Sequence, residues 1–140
     1  MAATHISTLD EAPATEPRPM LKPEWFAGMR ELRLAKPLGL TQFGVNHVTL
    51  APGAATALRH WHAAEDEFVY VLEGEVTLVD DNGQHRLSAG HVAAFPAGEA
   101  NGHHCRNLSS GAATILVVGS RRPGEETIHY PDDPVGPIRK

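Results

Sequence analysis

The chain has 140 residues, 41% of them hydrophobic, with a formal net charge of −5 and a pI near 5.9. That length suits one globular domain, with about two-thirds of the unfolded surface buried on folding. The acidic balance argues against nucleic acid, which needs clustered Lys and Arg. No apolar run approaches the roughly 20 residues that span a bilayer, and a single cysteine, Cys105, excludes an intrachain disulfide.

The N-terminal stretch MAATHISTLDEAPATEPRP lacks a basic start followed by an apolar segment. It does not read as a secretory signal, so a cytoplasmic location is expected. Its prolines, Thr, Ala and Glu suit a flexible or extended arm over residues 1–22. Pro23-Glu24-Trp25-Phe26 reads as a turn that tucks two aromatics onto the domain, and Met29 to Leu34 as a first strand. Leu40 to Ala51 alternates, with Phe43, Val45, His47 and Thr49 on one face. Gln42, Gly44, Asn46, Val48 and Leu50 share the other.

Asp66 to Leu72 is β-branched and aromatic, as a buried strand would be. Glu75 to Asp80 follows, then an Asn82-Gly83 hairpin signal and a return strand over Gln84 to Leu87. His91 to Phe95, Gly102 to Leu108 and Ala112 to Gly119 complete about nine short strands separated by turn residues. No amphipathic helix of three turns is present, so an all-β sandwich or barrel is expected over 23–120. Residues 121–140 carry four prolines without periodicity and read as a C-terminal extension.

The chemistry concentrates in RHWHAAEDEFVYVLEG, residues 59–74. On a strand, His60 and His62 point to one face and Trp61 to the other. With Glu67 nearby, two imidazoles and a carboxylate form a natural first shell for a divalent metal. Nine histidines in a chain of this size strengthen that reading. His85 and His91 sit beside turns, and His5 and His129 are expected in flexible ends.

Two blocks carry a family resemblance. The first holds Gly53, His60, His62, Glu67 and Gly74, and the second, GHVAAFPAGEANGHHCRN, holds Gly90, Pro96, Gly98, His103 and Asn107. Together they resemble the two motifs of the cupin superfamily, in the form found in small single-domain bacterial cupins. Six residues separate Gly53 from His60 and four separate Gly98 from His103, one more and two more than the family pattern. The resemblance implies a cupin double-stranded β-helix, or jelly-roll barrel. It also implies one divalent metal held by His60, His62, Glu67 and His103. His104 is the adjacent alternative; the spacing to Asn107 favours His103.

Three imidazoles and a carboxylate without thiolate suit Zn, Fe, Mn, Ni or Cu rather than Ca or Mg. Gln42, Asn46, Phe95 and Cys105 are candidates for lining the pocket. Thr56 and Arg59 are candidates for touching an anionic substrate. Two functions stand side by side. One is an enzyme acting on a small polar or anionic metabolite, of isomerase, lyase, hydrolase or dioxygenase class. The other is a non-catalytic metal-dependent binding or sensing module. A titratable group in the pocket besides the ligands separates them, and none is evident in the sequence. Apolar outer strand faces and the proline-rich arms lead us to expect a homodimer with arms exchanged, and no membrane partner.

Overall fold

In β4 (Glu67–Glu73), Val69 and Val71 are buried while Phe68, Tyr70 and Leu72 face outward, the period-2 pattern of a strand with one face on a core. The computed structural model describes residues 3–11, 22–132 and 136–140. Besides β4 it contains α1 (Pro23–Phe26), β1 (Met29–Arg33), β2 (Phe43–Leu50), β3 (Trp61–His62) and β5 (Glu75–Asp80). There follow β6 (Gly83–Ser88), β7 (Val92–Phe95), β8 (His104–Arg106), β9 (Ala113–Ser120), β10 (Thr127–His129) and β11 (Ile138–Arg139).

These strands form a jelly-roll-like β-sandwich. A five-stranded antiparallel sheet has the order β1-β2-β9-β4-β7, and two three-stranded sheets have the orders β6-β5-β8 and β11-β10-β3. The main core lies between the large sheet and β6-β5-β8. Val48, Leu50, Val69, Val71, Ala113 and Ile115 from one side meet Val76, Leu78 and Cys105 from the other. A second cluster of Phe26, Leu58, Ile128 and Tyr130, with Trp25 and Ile138, closes the end next to β10. Trp25 and Phe26 thus pack as their aromatic character suggests. None of the described helices is long and apolar enough to cross a membrane.

Three details differ from the sequence reading. The β5–β6 hairpin pairs Asp80 with Gly83, so its central residues are Asp81 and Asn82 rather than Asn82 and Gly83. The Asp80 side chain accepts from Asn82 N–H at 2.9 Å, and Gly83 supplies a positive φ of 116° at the first residue of the return strand. Second, residues beyond Arg121 form β10 and β11, with Ile128 opposite His62 and His129 opposite Trp61. Third, His129 is therefore no loose end: it stacks on Trp61 with ring centroids 4.1 Å apart. Of the N-terminal arm, residues 3–11 carry a 3-10 turn at Ile6–Thr8, and residues 12–21 lie outside the described residues.

Candidate metal centre

Four segments bring the site together. His60 bridges His103 through paired backbone hydrogen bonds of 3.1 and 2.9 Å. His62 lies on β3 against β10, and Glu67 opens β4 opposite both Phe95 of β7 and Gly119 of β9. The Glu67 Oε2 atom lies 3.4 Å from His60 Nε2, 3.0 Å from His62 Nε2 and 3.0 Å from His103 Nε2. His60, His62 and Glu67 offer ligand atoms that all fall within 4.8 Å of one another. Trp61 turns the other way, onto His129, as the strand period requires.

The opposite ring nitrogens decide what this cluster can hold. His60 Nδ1 faces the carbonyl of Leu58 at 2.8 Å, and His103 Nδ1 faces the carbonyl of Asn101 at 3.1 Å. His62 Nδ1 faces Glu126 Oε2 at 3.0 Å. A carbonyl or carboxylate only accepts, so each Nδ1 carries the proton and donates. In the neutral rings each Nε2 is then a lone pair pointed at a carboxylate oxygen. Three lone pairs and an anion about 3 Å apart repel unless a cation lies among them. The residues therefore fit a divalent metal, with N/O donors of the type that suits transition metals. Burial alone would raise the carboxyl of Glu67, but positive charge among His103, His60 and His62 outweighs it and holds it well below the usual range, the same demand for a cation at this point.

Behind His62 lies a second group, in which Glu65 and Glu126 gather with it. Glu126 is buried; Oε1 accepts from Ala64 N–H at 3.1 Å and Oε2 accepts from His62 Nδ1–H at 3.0 Å. Glu65 Oε2 accepts from Arg122 N–H at 2.9 Å. Burial pushes the Glu65 carboxyl up, and the neighbouring Glu126 adds to this. Burial also acts to raise Glu126, but the Ala64 N–H, the hydrogen bond to Glu65 and His62 bring it below its ordinary value. Of the two, Glu126 holds its charge more readily and is the carboxylate that orients His62.

A cavity of about 420 Å³ opens over the cluster, within the range of small-molecule sites. Asn46 and Cys105 line it, as does the β2 face shared by Gly44 and Val48. Burial pushes the Cys105 thiol up to about 12, with the nearby Glu67 charge adding to it, so it stays protonated. Gln42 and Phe95 correct the expected lining. Gln42 precedes β2, is exposed and lies outside the lining. Phe95 stacks flat on the His103 ring with centroids 3.5 Å apart, supporting that ring instead of lining the pocket. His104 donates from Nδ1 to the carbonyl of Ala57 at 2.7 Å and sets its ring edge-on to Trp25, whereas His103 faces Glu67. Burial lowers the pKa of His104 to about 4, so it is neutral.

Thr56 lines the cavity, with its hydroxyl oxygen accepting from Cys105 N–H at 3.1 Å. Arg59 is not available to an anion: Asp132 clasps it with bonds of 2.8 and 3.1 Å, and Asp81 and the Gly102 carbonyl each take Nη1 at 2.7 Å. Sequence reasoning missed Glu65, Glu126, Arg121 and Tyr130, although Glu65, Arg121 and Tyr130 line the cavity and Glu126 touches His62. Glu65 sits two residues before Glu67, a proximity that could have marked it. Glu126 and Arg121 carry no local signal, because the pairing of β10 with β3 brings in Glu126 and the pairing of β9 with β2 places Arg121.

The Cupin domain family model matches residues 46–119, just over half of the chain. A sugar phosphate isomerase of the cupin superfamily from Silicibacter pomeroyi is 40% identical, with a TM-score of 0.82, over 97% of this chain and 90% of that one. A proposed sugar phosphate isomerase from Acidithiobacillus ferrooxidans is 26% identical, with a TM-score of 0.75, over 94% and 80%. The polyketide cyclase of Streptomyces resistomycificus, 24% identical with a TM-score of 0.70 over 90% and 83%, shares the fold. No curated protein matches. The sandwich, the convergent histidines and these likenesses together make the chain a small single-domain member of the cupin superfamily.

Proposed function

We propose that His60, His62, Glu67 and His103 hold one divalent transition metal, and that the cavity above them receives a small polar or anionic metabolite for isomerisation. The observation that carries this is the set of three Nε2 lone pairs facing Glu67 while every Nδ1 is committed to an acceptor. A divalent cation bound there would polarise a carbonyl or hydroxyl oxygen of the ligand. Glu31 and Glu65 line the same cavity outside the four-residue set. They offer carboxyls for moving a proton between neighbouring carbons, the change an aldose–ketose isomerisation needs. The likeness to sugar phosphate isomerases at 40% and 26% identity supports that class over lyase, hydrolase or dioxygenase.

Two measurements test it. Protein purified without added metal should carry a near-stoichiometric transition metal that His60→Ala/His62→Ala loses; full metal content in that variant would sink the ligand assignment. The loaded protein, given a panel of aldose phosphates followed by NMR, should convert at least one to its ketose phosphate. No interconversion across the panel would instead favour the non-catalytic binding module.

We also propose a homodimer. The outer face of the large sheet exposes Phe43, Phe68, Tyr70, Leu72 and Val92, an apolar surface that a second copy would cover. A light-scattering mass equal to the monomer would count against it.

A further inference from the structure

Gly44, Gly119 and Glu67 form a row across β2, β9 and β4, because Gly44 pairs with Gly119 and Gly119 pairs with Glu67. Directly opposite residues of antiparallel strands share a face. The two glycines therefore lie on the face that carries the Glu67 carboxylate, and all three line the cavity. Two adjacent strands without a side chain leave a bare floor beside the metal centre.

The guanidinium of Arg121 covers that floor. A Cβ at Gly44 would come 2.8 Å from its Cζ and overlap Nη2, and one at Gly119 would come 3.4 Å from Nη1. Gly44 has no positive φ, so its backbone does not demand glycine; the space for the guanidinium does. The Arg121 backbone is held in turn, its N–H donating to the Gln42 carbonyl at 3.0 Å. Nη1 donates to the Ser120 carbonyl at 3.3 Å and stands 3.8 Å from Glu65 Oε1, while Nη2 rests on the Gly44 side. Glu65, whose other oxygen accepts from Arg122 N–H, meets this charge as an ion pair at 3.8 Å, beyond hydrogen-bond length. Arg59, by contrast, is fully engaged by Asp132 and Asp81.

Neighbouring strands lie about 4.8 Å apart, so the floor runs from about 5 to about 10 Å from the Glu67 backbone. A guanidinium presents a planar fork that matches carboxylate and phosphate oxygens in pairs. We propose that Arg121, on its two-glycine floor, anchors the terminal anionic group of the ligand, a phosphate or a carboxylate, while an oxygen a few bonds away meets the His60/His62/Glu67/His103 centre. This rests on the metal-centre reading for its second point of attachment, but the anion anchor itself does not.

The test measures binding of inorganic phosphate and of acetate by calorimetry, with metal content determined on the same samples. The proteins are the wild type, Arg121→Met, Gly44→Ala and His60→Ala/His62→Ala, with Arg121→Met also added to the double variant. The expected result is a loss of at least tenfold in anion affinity on Arg121→Met in both backgrounds, with metal content unchanged. Gly44→Ala, which keeps the charge but displaces the guanidinium, should weaken anion binding several-fold with the same circular dichroism spectrum. A preference for phosphate points to a phosphorylated ligand, and a preference for acetate to a carboxylic acid. Equal anion affinity with and without Arg121, or no measurable binding to the wild type, overturns the proposal. Loss of anion binding on Arg121→Met in a protein that carries no metal would support the anchor while defeating the metal-centre reading.

Discussion

Glu126 Oε2 lies 3.0 Å from Nδ1 of His62, so a residue from the C-terminal tail sets the tautomer of a histidine whose other nitrogen faces Glu67. Sixty-four positions of sequence separate the two, and β10 pairing with β3 brings them together. That contact puts the tail inside the proposed metal centre's chemistry.

Glu126→Gln should weaken transition-metal affinity by about 10- to 100-fold, the usual cost of losing a carboxylate behind a ligating histidine. The amide can present its NH2 to His62 Nδ1 and so release the preferred tautomer. Chelator competition reads the affinity, and circular dichroism reports whether the fold survives. Unchanged affinity would remove Glu126 from the centre.

The two adjacent histidines should separate cleanly by substitution. His103→Ala should lower metal content, since it removes the Nε2 that faces Glu67. His104→Ala should keep the metal but lose about 1–3 kcal/mol of stability, because the Ala57 carbonyl loses its donor and Trp25 loses its ring contact. Urea unfolding alongside metal analysis distinguishes the two, and the opposite pattern would reverse their roles.

Asn107 should prove structural. Fully buried, it donates from Nδ2 to the carbonyls of Leu50 and Gly111 at 2.8 Å each, and its Oδ1 accepts from the backbone N–H and hydroxyl of Ser109. Asn107→Ala should cost on the order of 2–4 kcal/mol. Asn107→Asp at neutral pH should cost at least as much, because a carboxylate would face two carbonyl oxygens. Chemical denaturation measures both. An aspartate variant as stable as the wild type would contradict this hydrogen-bond assignment.

The Arg59–Asp132 clasp makes a small pH prediction. The hydrogen bond from Arg59 holds the Asp132 carboxyl below its ordinary value despite the opposing effect of burial. A depressed carboxyl contributes stability that is present above the unfolded pKa of about 3.9 and is lost as pH falls through the folded value. The Asp132 side chain is 65% exposed, so solvent screening limits the effect to about 0.5–1 kcal/mol. Comparing wild type with Asp132→Asn from pH 6 downward, the gap in stability should close as the medium turns acidic. A gap that widened would reverse the sign and exclude the clasp as its source.

Much of the fold was legible in local pattern. The β-branched and aromatic content of Asp66 to Leu72 marked β4 as a strand, but as a buried one; only the sheet packing shows that Phe68, Tyr70 and Leu72 face outward. The inner face of β2 through Gly44, Asn46 and Val48 followed from period 2 alone. His60 and His62, two residues apart, had to share a face wherever they lay on extended backbone.

The sequence by itself therefore determined the all-β character, the strand rhythm and the side-by-side histidines, because each depends on neighbours a few residues apart. Tertiary structure alone decided that Arg59 belongs to Asp132 and Asp81, that Arg121 reaches the cavity, and that Glu126 sits behind His62. It also turned Phe95 onto His103 and left Gln42 outside the pocket. β10 is three residues long and β11 two, too short to show a period, so only their distant partners make them strands. Charged side chains choose partners by proximity in space, and the tail's proximity to the site arises only when the sheets close.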